Sequence, residues 1–200
     1  QVVHDWYVRS FTEVVNFPFP RTIDDERRFN ELLSRIKYRH RNQVAVMARG
    51  VQEYVNREGA IEPGSEMQEF LDGFYLSRIG IRVLLGHHAA SHEQRKGWVG
   101  IICAQTSVLD VAKDAAEHAA QICRQVFGDP PPVRFDGRMN LRFKYIPSHL
   151  HHMLFELFKN SFRAVIEAHG DKGRQLPSVN VIIAGGMEDV SIKISDQGGG

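Results

Sequence analysis

The sequence predicts a chain in two parts, helical bundle then α/β: a four-helix bundle over residues 1–128, followed by the first part of an α/β domain over residues 129–200. Three observations predict this. Apolar residues recur at helical spacing through the first 125 or so positions. Gly128-Asp129-Pro130-Pro131-Pro132 then stops the last helix and forms a stiff connector. Beyond it the pattern turns to short β-prone runs around a single helix.

Trp6, Val8, Phe11, Val14 and Val15 mark the first helix, and Asn16-Phe17-Pro18-Phe19-Pro20 breaks it. Thr22 followed by Asp24, Asp25 and Glu26 reads as a capped helix start with acids in the first turn. That second helix carries Phe29, Leu32, Leu33, Ile36, Val44 and Met47 and is expected to run through to Tyr54, before a loop at Ala60 to Ser65. Met67, Phe70, Leu71, Phe74, Tyr75, Ile79 and Val83 define the third helix, and Ser107 to Phe127 the fourth. Val133 and Phe135, then Leu141, Phe143 and Tyr145, form β-prone runs ahead of a helix from about Ser148 to His169. Asn180 to Ala184 and Val190 to Ser195 read as two strands joined by a hairpin loop at Gly185 to Asp189.

Composition narrows the function. Hydrophobic residues at 42% and charged residues at 24% exclude wholesale disorder. Lys+Arg 25 against Asp+Glu 24 leaves a net charge of +1, too balanced for a general nucleic-acid or membrane-surface binder. No apolar run approaches the roughly 18–20 residues that cross a bilayer. Cys103 and Cys123 make neither a disulfide framework nor a ligand cluster, which points to a reducing compartment. A strand running into Asp196-Gln197-Gly198-Gly199-Gly200 is an implausible end for a domain, and Gln1 is not a start methionine, so the sequence reads as a piece of a longer protein.

The helix from His149 to Val165 carries the chemistry. On a wheel of 100° per residue, Leu150, Met153, Leu154, Leu157, Ser161, Ala164, Val165 and Ala168 gather as the expected core face. His152, Glu156, Lys159, Asn160 and Arg163 gather opposite. A solvated face would explain the Glu and Lys, which form helices well, but it rarely holds Asn at mid-helix. Glu and Asn oxygens one turn apart suit a hard cation such as Mg²⁺, which pairs with phosphates. Asp196 at a strand tip can accept from an amino group, and the glycines after it let backbone approach a ligand closely.

A helical E-x-x-x-N followed by an Asp–glycine turn after a hairpin resembles the nucleotide site of the GHKL ATPase superfamily. Pro147-Ser148-His149-Leu150-His151-His152-Met153-Leu154-Phe155-Glu156-Leu157-Phe158-Lys159-Asn160-Ser161 is similar, almost residue for residue, to the mitochondrial pyruvate dehydrogenase kinases. Further matches are Arg39-His40, Met47-Ala48-Arg49-Gly50-Val51, Phe70-Leu71-Asp72, Phe74 to Ile79, Gly100-Ile101-Ile102-Cys103 and Ser191 to Asp196. The branched-chain 2-oxoacid dehydrogenase kinase is the near relative.

The resemblance implies a Bergerat-type ATP-binding α/β sandwich, cut inside its first glycine box, behind a regulatory bundle. It implies a protein serine kinase of the mitochondrial matrix that phosphorylates the E1α subunit of the pyruvate dehydrogenase complex, with ATP and Mg²⁺ as cofactors. By similarity Asn160 holds Mg²⁺, Glu156 is the general base, and His152 hydrogen-bonds that carboxylate. Lys159 and Arg163 lie near the nucleotide, Asp196 reads the adenine amino group, and Gly198 and Gly200 border the base pocket. The lipoyl domain of E2 and a second copy of the chain are the implied partners, with neither nucleic acid nor membrane. The alternatives are action on the branched-chain 2-oxoacid dehydrogenase, or a non-catalytic module that docks to lipoyl domains. The 200 residues alone are expected to bind ATP poorly and not to catalyse.

Arg78 falls on the apolar stripe of its helix, with Arg82 one turn on, where a charge is costly without a partner. An ion pair with a neighbouring helix would satisfy it, as would a small anion pocket shared with His40. The resemblance implies the pocket, an allosteric site for pyruvate and dichloroacetate, although Lys37 and Tyr38 depart from the expected pattern beside it. His87, His88 and His92 could present imidazoles to Zn²⁺, but the sequence offers no further ligand at a suitable spacing. The basic run Arg35, Lys37, Arg39, His40 and Arg41 lacks the interleaved aromatics of a nucleic-acid site and reads as a solvated helix.

Overall fold

The computed structural model describes residues 1–93, 95–170 and 175–199. The chain mixes helix and sheet and divides into two compact units, Gln1–Glu93 and Gln94–Gly200. The division therefore falls ahead of the expected boundary at Gly128, because the helix before the prolines packs with the helix and strands beyond them.

The first unit holds α1 (Val2–Val15), α2 (Ile23–Arg39), α3 (Gln43–Glu58) and α4 (Glu66–Ser91). At the start of α2 the Thr22 hydroxyl accepts from the Asp25 N–H and the Asp25 carboxylate accepts from the Thr22 N–H, each at 3.1 Å. This is the reciprocal cap that the sequence signalled. Hydrogen bonds from Thr22 and Arg28 hold the Asp25 carboxyl down at about 2. The helix expected through Tyr54 is two helices. Between Ile36 and Val44 no aliphatic residue extends the stripe, and the chain turns at His40, whose carbonyl accepts from the Gln43 N–H at 3.3 Å. The turn buries Gln43, whose side-chain amide donates to the Tyr7 hydroxyl at 2.6 Å. Helix α1 touches α2 and α3, and α2 touches α4. Leu32 and Ile36 are buried, whereas α4 buries none of its residues.

The second unit carries β1 (Trp98–Val99), β2 (Ile102–Ser107), α5 (Val108–Val126), β3 (Val133–Gly137), β4 (Arg142–Tyr145), α6 (Pro147–His169), β5 (Val179–Gly185) and β6 (Val190–Ser195). The predicted strands exist but divide between two sheets, ordered β1-β2-β4 and β3-β5-β6. Strand β3 runs parallel to β5, and β5 and β6 form the expected antiparallel hairpin. Helix α5 has the predicted span, capped by the Ser107 hydroxyl accepting from the Asp110 N–H at 3.3 Å. It is not the fourth helix of a bundle over 1–128. Its face of Ala112, Ala115, Ala116, Ala119 and Ala120 packs on α6, small side chains allowing the helices to approach closely. The connector is packed as well, with Pro131 buried and the Pro132 carbonyl accepting from the Val179 N–H at 2.9 Å. Val108, Phe158, Val165, Val179 and Val181 are fully buried in this core. Burial also pushes the Cys123 thiol up, which keeps it an inert core group.

Candidate nucleotide site and anion pocket

Helix α6 begins at Pro147, whose missing N–H costs nothing in a first turn. Its buried stripe is Leu150, Leu154, Phe158, Ser161, Phe162 and Val165. The predicted core face was rotated from this. Met153 and Leu157, expected inside, are 46% and 49% exposed, while Phe158 and Phe162 are at 0% and 1%. Packing between α5 and the β3-β5-β6 sheet explains the rotation, because the two phenylalanines fill the space that the α5 alanines leave.

The polar column stands on the far side. His152, Asn160 and Arg163 are exposed, and Glu156 and Lys159 are half-buried. Glu156 binds Lys159: the ammonium donates to both carboxylate oxygens at 3.0 and 2.9 Å and lies 5.0 Å from the Phe155 ring centre. Phe155 is flanked in turn by the His118 and His151 rings, at 4.6 and 6.2 Å. The Arg163 Nε donates to Glu167 at 2.6 Å, and that hydrogen bond raises the guanidinium above its usual range. Among the described residues no hydrogen bond joins His152 to Glu156, and none engages the Asn160 side chain, so its carboxamide oxygen is open to a hard cation.

The loop after β6 lies against the same helix. Asp196 accepts from the Gly198 N–H at 2.9 Å, and the Gln197 carbonyl oxygen lies 2.8 Å from His169 Nε2. A Cβ at Gly198 would stand 2.4 Å from the Ala164 Cβ and 2.8 Å from its carbonyl carbon. Glycine is thus required there by the approach of two backbones, and Gly199 takes a φ of +80°. The structure therefore brings Asn160, Arg163, Asp196 and Gly198 to neighbouring turns of α6. Gly200 lies outside the described residues.

In the first unit, a cavity of about 250 Å³ is lined by Tyr7, Ser10, Lys37, His40, Arg78 and Arg82, with Ile36, Ile81 and Leu85 among its apolar walls. The sequence-predicted trio of His40, Arg78 and Arg82 is assembled here. Arg78 Nε is buried with no hydrogen-bond partner, so the ion pair that could have explained this charge is absent among the described residues. Ser10 Oγ lies 2.9 Å from His40 Nε2 and accepts from Arg39 at 2.7 Å, and Arg39 pairs with both Glu13 oxygens at 2.9 Å. Hydrogen bonds from Arg39 and Arg9 hold the Glu13 carboxyl low. Burial, with the charges of Arg39 and Arg78, pushes the His40 imidazole down against a Gln43 hydrogen bond that opposes it. Sequence reasoning missed Tyr7, Ser10 and Gln43; the polar Ser10 within an apolar-periodic helix was the available signal. The His88 and His92 rings are 5.0 Å apart, but among the described residues no three His, Cys, Asp or Glu side chains converge on a metal position.

Comparison with known proteins places these sites in context. A family model described as mitochondrial branched-chain alpha-ketoacid dehydrogenase kinase matches residues 1–103. A mitochondrial [pyruvate dehydrogenase (acetyl-transferring)] kinase of Arabidopsis thaliana is 42% identical over 99% of this chain and 54% of its own length. The same-named protein of Schizosaccharomyces pombe is 42% identical over 86% of this chain and 41% of its own. Isozyme 3 of Mus musculus is 38% identical over 100% and 51%. The chain spans about half the length of the curated relatives it matches.

Proposed function

We propose, from the premise that this chain belongs to the mitochondrial branched-chain alpha-ketoacid dehydrogenase kinase family, that it carries the regulatory helices and part of the ATP site of a mitochondrial protein serine kinase. The substrate is the E1α subunit of the pyruvate dehydrogenase complex, as the names of its relatives suggest. The nucleotide-binding half is a GHKL-type sandwich completed by chain outside these residues. The observation that carries this reading is the seat of the Asp196–Gly198 loop on α6 at Ala164, one turn past Asn160. Two segments distant in sequence meet there, one helical turn from the Asn160 side chain.

In this reading Glu156 takes the proton of the substrate serine, and His152 orients it when substrate closes the site. Asn160 offers an oxygen to Mg²⁺, which supplies charge neutralisation across the phosphates. Lys159 and Arg163 add positive charge beside the phosphates, Asp196 accepts from the adenine amino group, and Gly198 borders the base pocket. The apolar cavity around Arg78 holds a small carboxylate such as pyruvate or dichloroacetate, with Arg82 and His40 beside it. The lipoyl domain of E2 and a second copy of the chain complete the working assembly in the mitochondrial matrix.

A second reading rests on the family model itself, whose description names the branched-chain enzyme and whose match spans residues 1–103. Assay of the full-length protein, with Mg-ATP, on purified pyruvate and branched-chain E1 separates the two. Phosphate incorporated only into branched-chain E1 overturns the first reading, and incorporation into neither overturns both.

A further inference from the structure

We infer that Lys159 is a positioning residue that moves between two anions: without nucleotide it occupies Glu156, and the nucleotide phosphates draw it off and free that carboxylate for the serine hydroxyl. This rests on the proposed assignment of Glu156 and of the phosphate position.

The ammonium bonds both Glu156 oxygens, at 3.0 and 2.9 Å, so neither oxygen stands free of it. Its seat is built, because the Lys159 head also lies over Phe155, which His118 and His151 hold in place. The neighbouring cation is held in the same way, Arg163 by Glu167 at 2.6 Å. Both cations of the column are therefore paired with acids of their own helix.

Such a contact is suited to exchange. The side chains of Lys159 and Glu156 are 37% and 46% exposed, and ion pairs of that exposure are weak. A bound triphosphate presents several charges to the same ammonium and wins the competition. Nucleotide would thus do two things at once: gain a cation and expose the base. The base stays paired until there is a phosphoryl group to transfer.

A double-mutant cycle on the full-length protein tests this. Binding of the non-hydrolysable β,γ-imido analogue of ATP, with Mg²⁺, is measured by calorimetry for the parent, Glu156→Gln, Lys159→Met and the double variant. Lys159→Met is expected to weaken binding. Glu156→Gln is expected to tighten it more when Lys159 is present than in the Lys159→Met background, by about two- to fivefold, the range of an exposed ion pair. Lys159→Arg should retain the coupling, since it keeps the charge. An equal effect of Glu156→Gln in both backgrounds, or no loss on Lys159→Met, overturns the inference while leaving the nucleotide site intact. Failure of the parent to bind the analogue overturns the underlying reading instead.

Discussion

Lys159 and Arg163 on α6 each meet a carboxylate of their own helix, whereas Arg78 on α4 lies in an apolar cavity with its Nε buried and unpaired. The difference follows from solvent. On a half-exposed helix face a cation can trade one weak partner for another at little cost. In a cavity lined by Ile36, Ile81 and Leu85 the Nε–H of Arg78 has given up water without a replacement, and a bound anion would supply the missing partner. The proposed phosphoryl transfer asks for a site of the first kind, and the proposed anion pocket for one of the second.

The largest effect expected on the α6 side is chemical. Glu156→Gln in the full-length protein keeps shape and removes the proton acceptor, and should lower phosphoryl transfer to E1 by about 10²- to 10⁴-fold. A variant within a few-fold of the parent would remove Glu156 from the chemistry and reduce the α6 column to a charged surface. Gly198→Ala comes next. Its new methyl would meet the Ala164 backbone, so one segment must shift at a cost of about 1–3 kcal/mol, read by denaturant unfolding and by weaker analogue binding.

Much of this contrast was legible in the residues and some was not. Periodicity and turn chemistry placed α5, α6, the β5–β6 hairpin and the end of α1 within a residue or two, because caps and loop residues act locally. The break at His40–Asn42 was missed because it serves a tertiary contact, the burial of Gln43 against Tyr7. Strands β1 and β2 were missed although Ile101-Ile102-Cys103 is β-prone, since β1 is only two residues long and the pairing of Cys103 with Tyr145 is long-range. The wheel for α6 found the polar column but rotated the core, because Phe158 and Phe162 follow the alanines of α5, which no local pattern reveals. The ion-pair partners of Lys159 and Arg163 lie within one turn and were visible as types, though their engagement was not.

Arg78→Met sharpens the comparison through stability. Removing an unpaired buried polar group should stabilise the first unit by about 1–2 kcal/mol, while Lys159→Met should change unfolding by about 0.5 kcal/mol or less. The same Arg78→Met change in the full-length protein should weaken dichloroacetate binding about tenfold or more, since a charge-assisted contact is lost. Unchanged binding would remove the anion from this cavity.

The smallest effect is a pH dependence confined to the first unit. His40 sits beside Arg78 with its imidazole held below the ordinary 6.5, chiefly by burial. The native state therefore prefers it neutral. Its contribution to stability is complete above 6.5, where the unfolded chain is also neutral, and is lost as pH falls through 6.5 toward the native value. Urea midpoints of this chain should decline over that interval more steeply than those of His40→Gln. An anion in the cavity reverses part of this, because its charge favours the imidazolium and its binding takes up a proton. Saturating dichloroacetate should then flatten the decline for the parent and leave the slope of the His40→Gln variant as it was. A decline of equal steepness with and without the anion would mean that the carboxylate does not sit near His40, and that Arg78 is unpaired for some other reason.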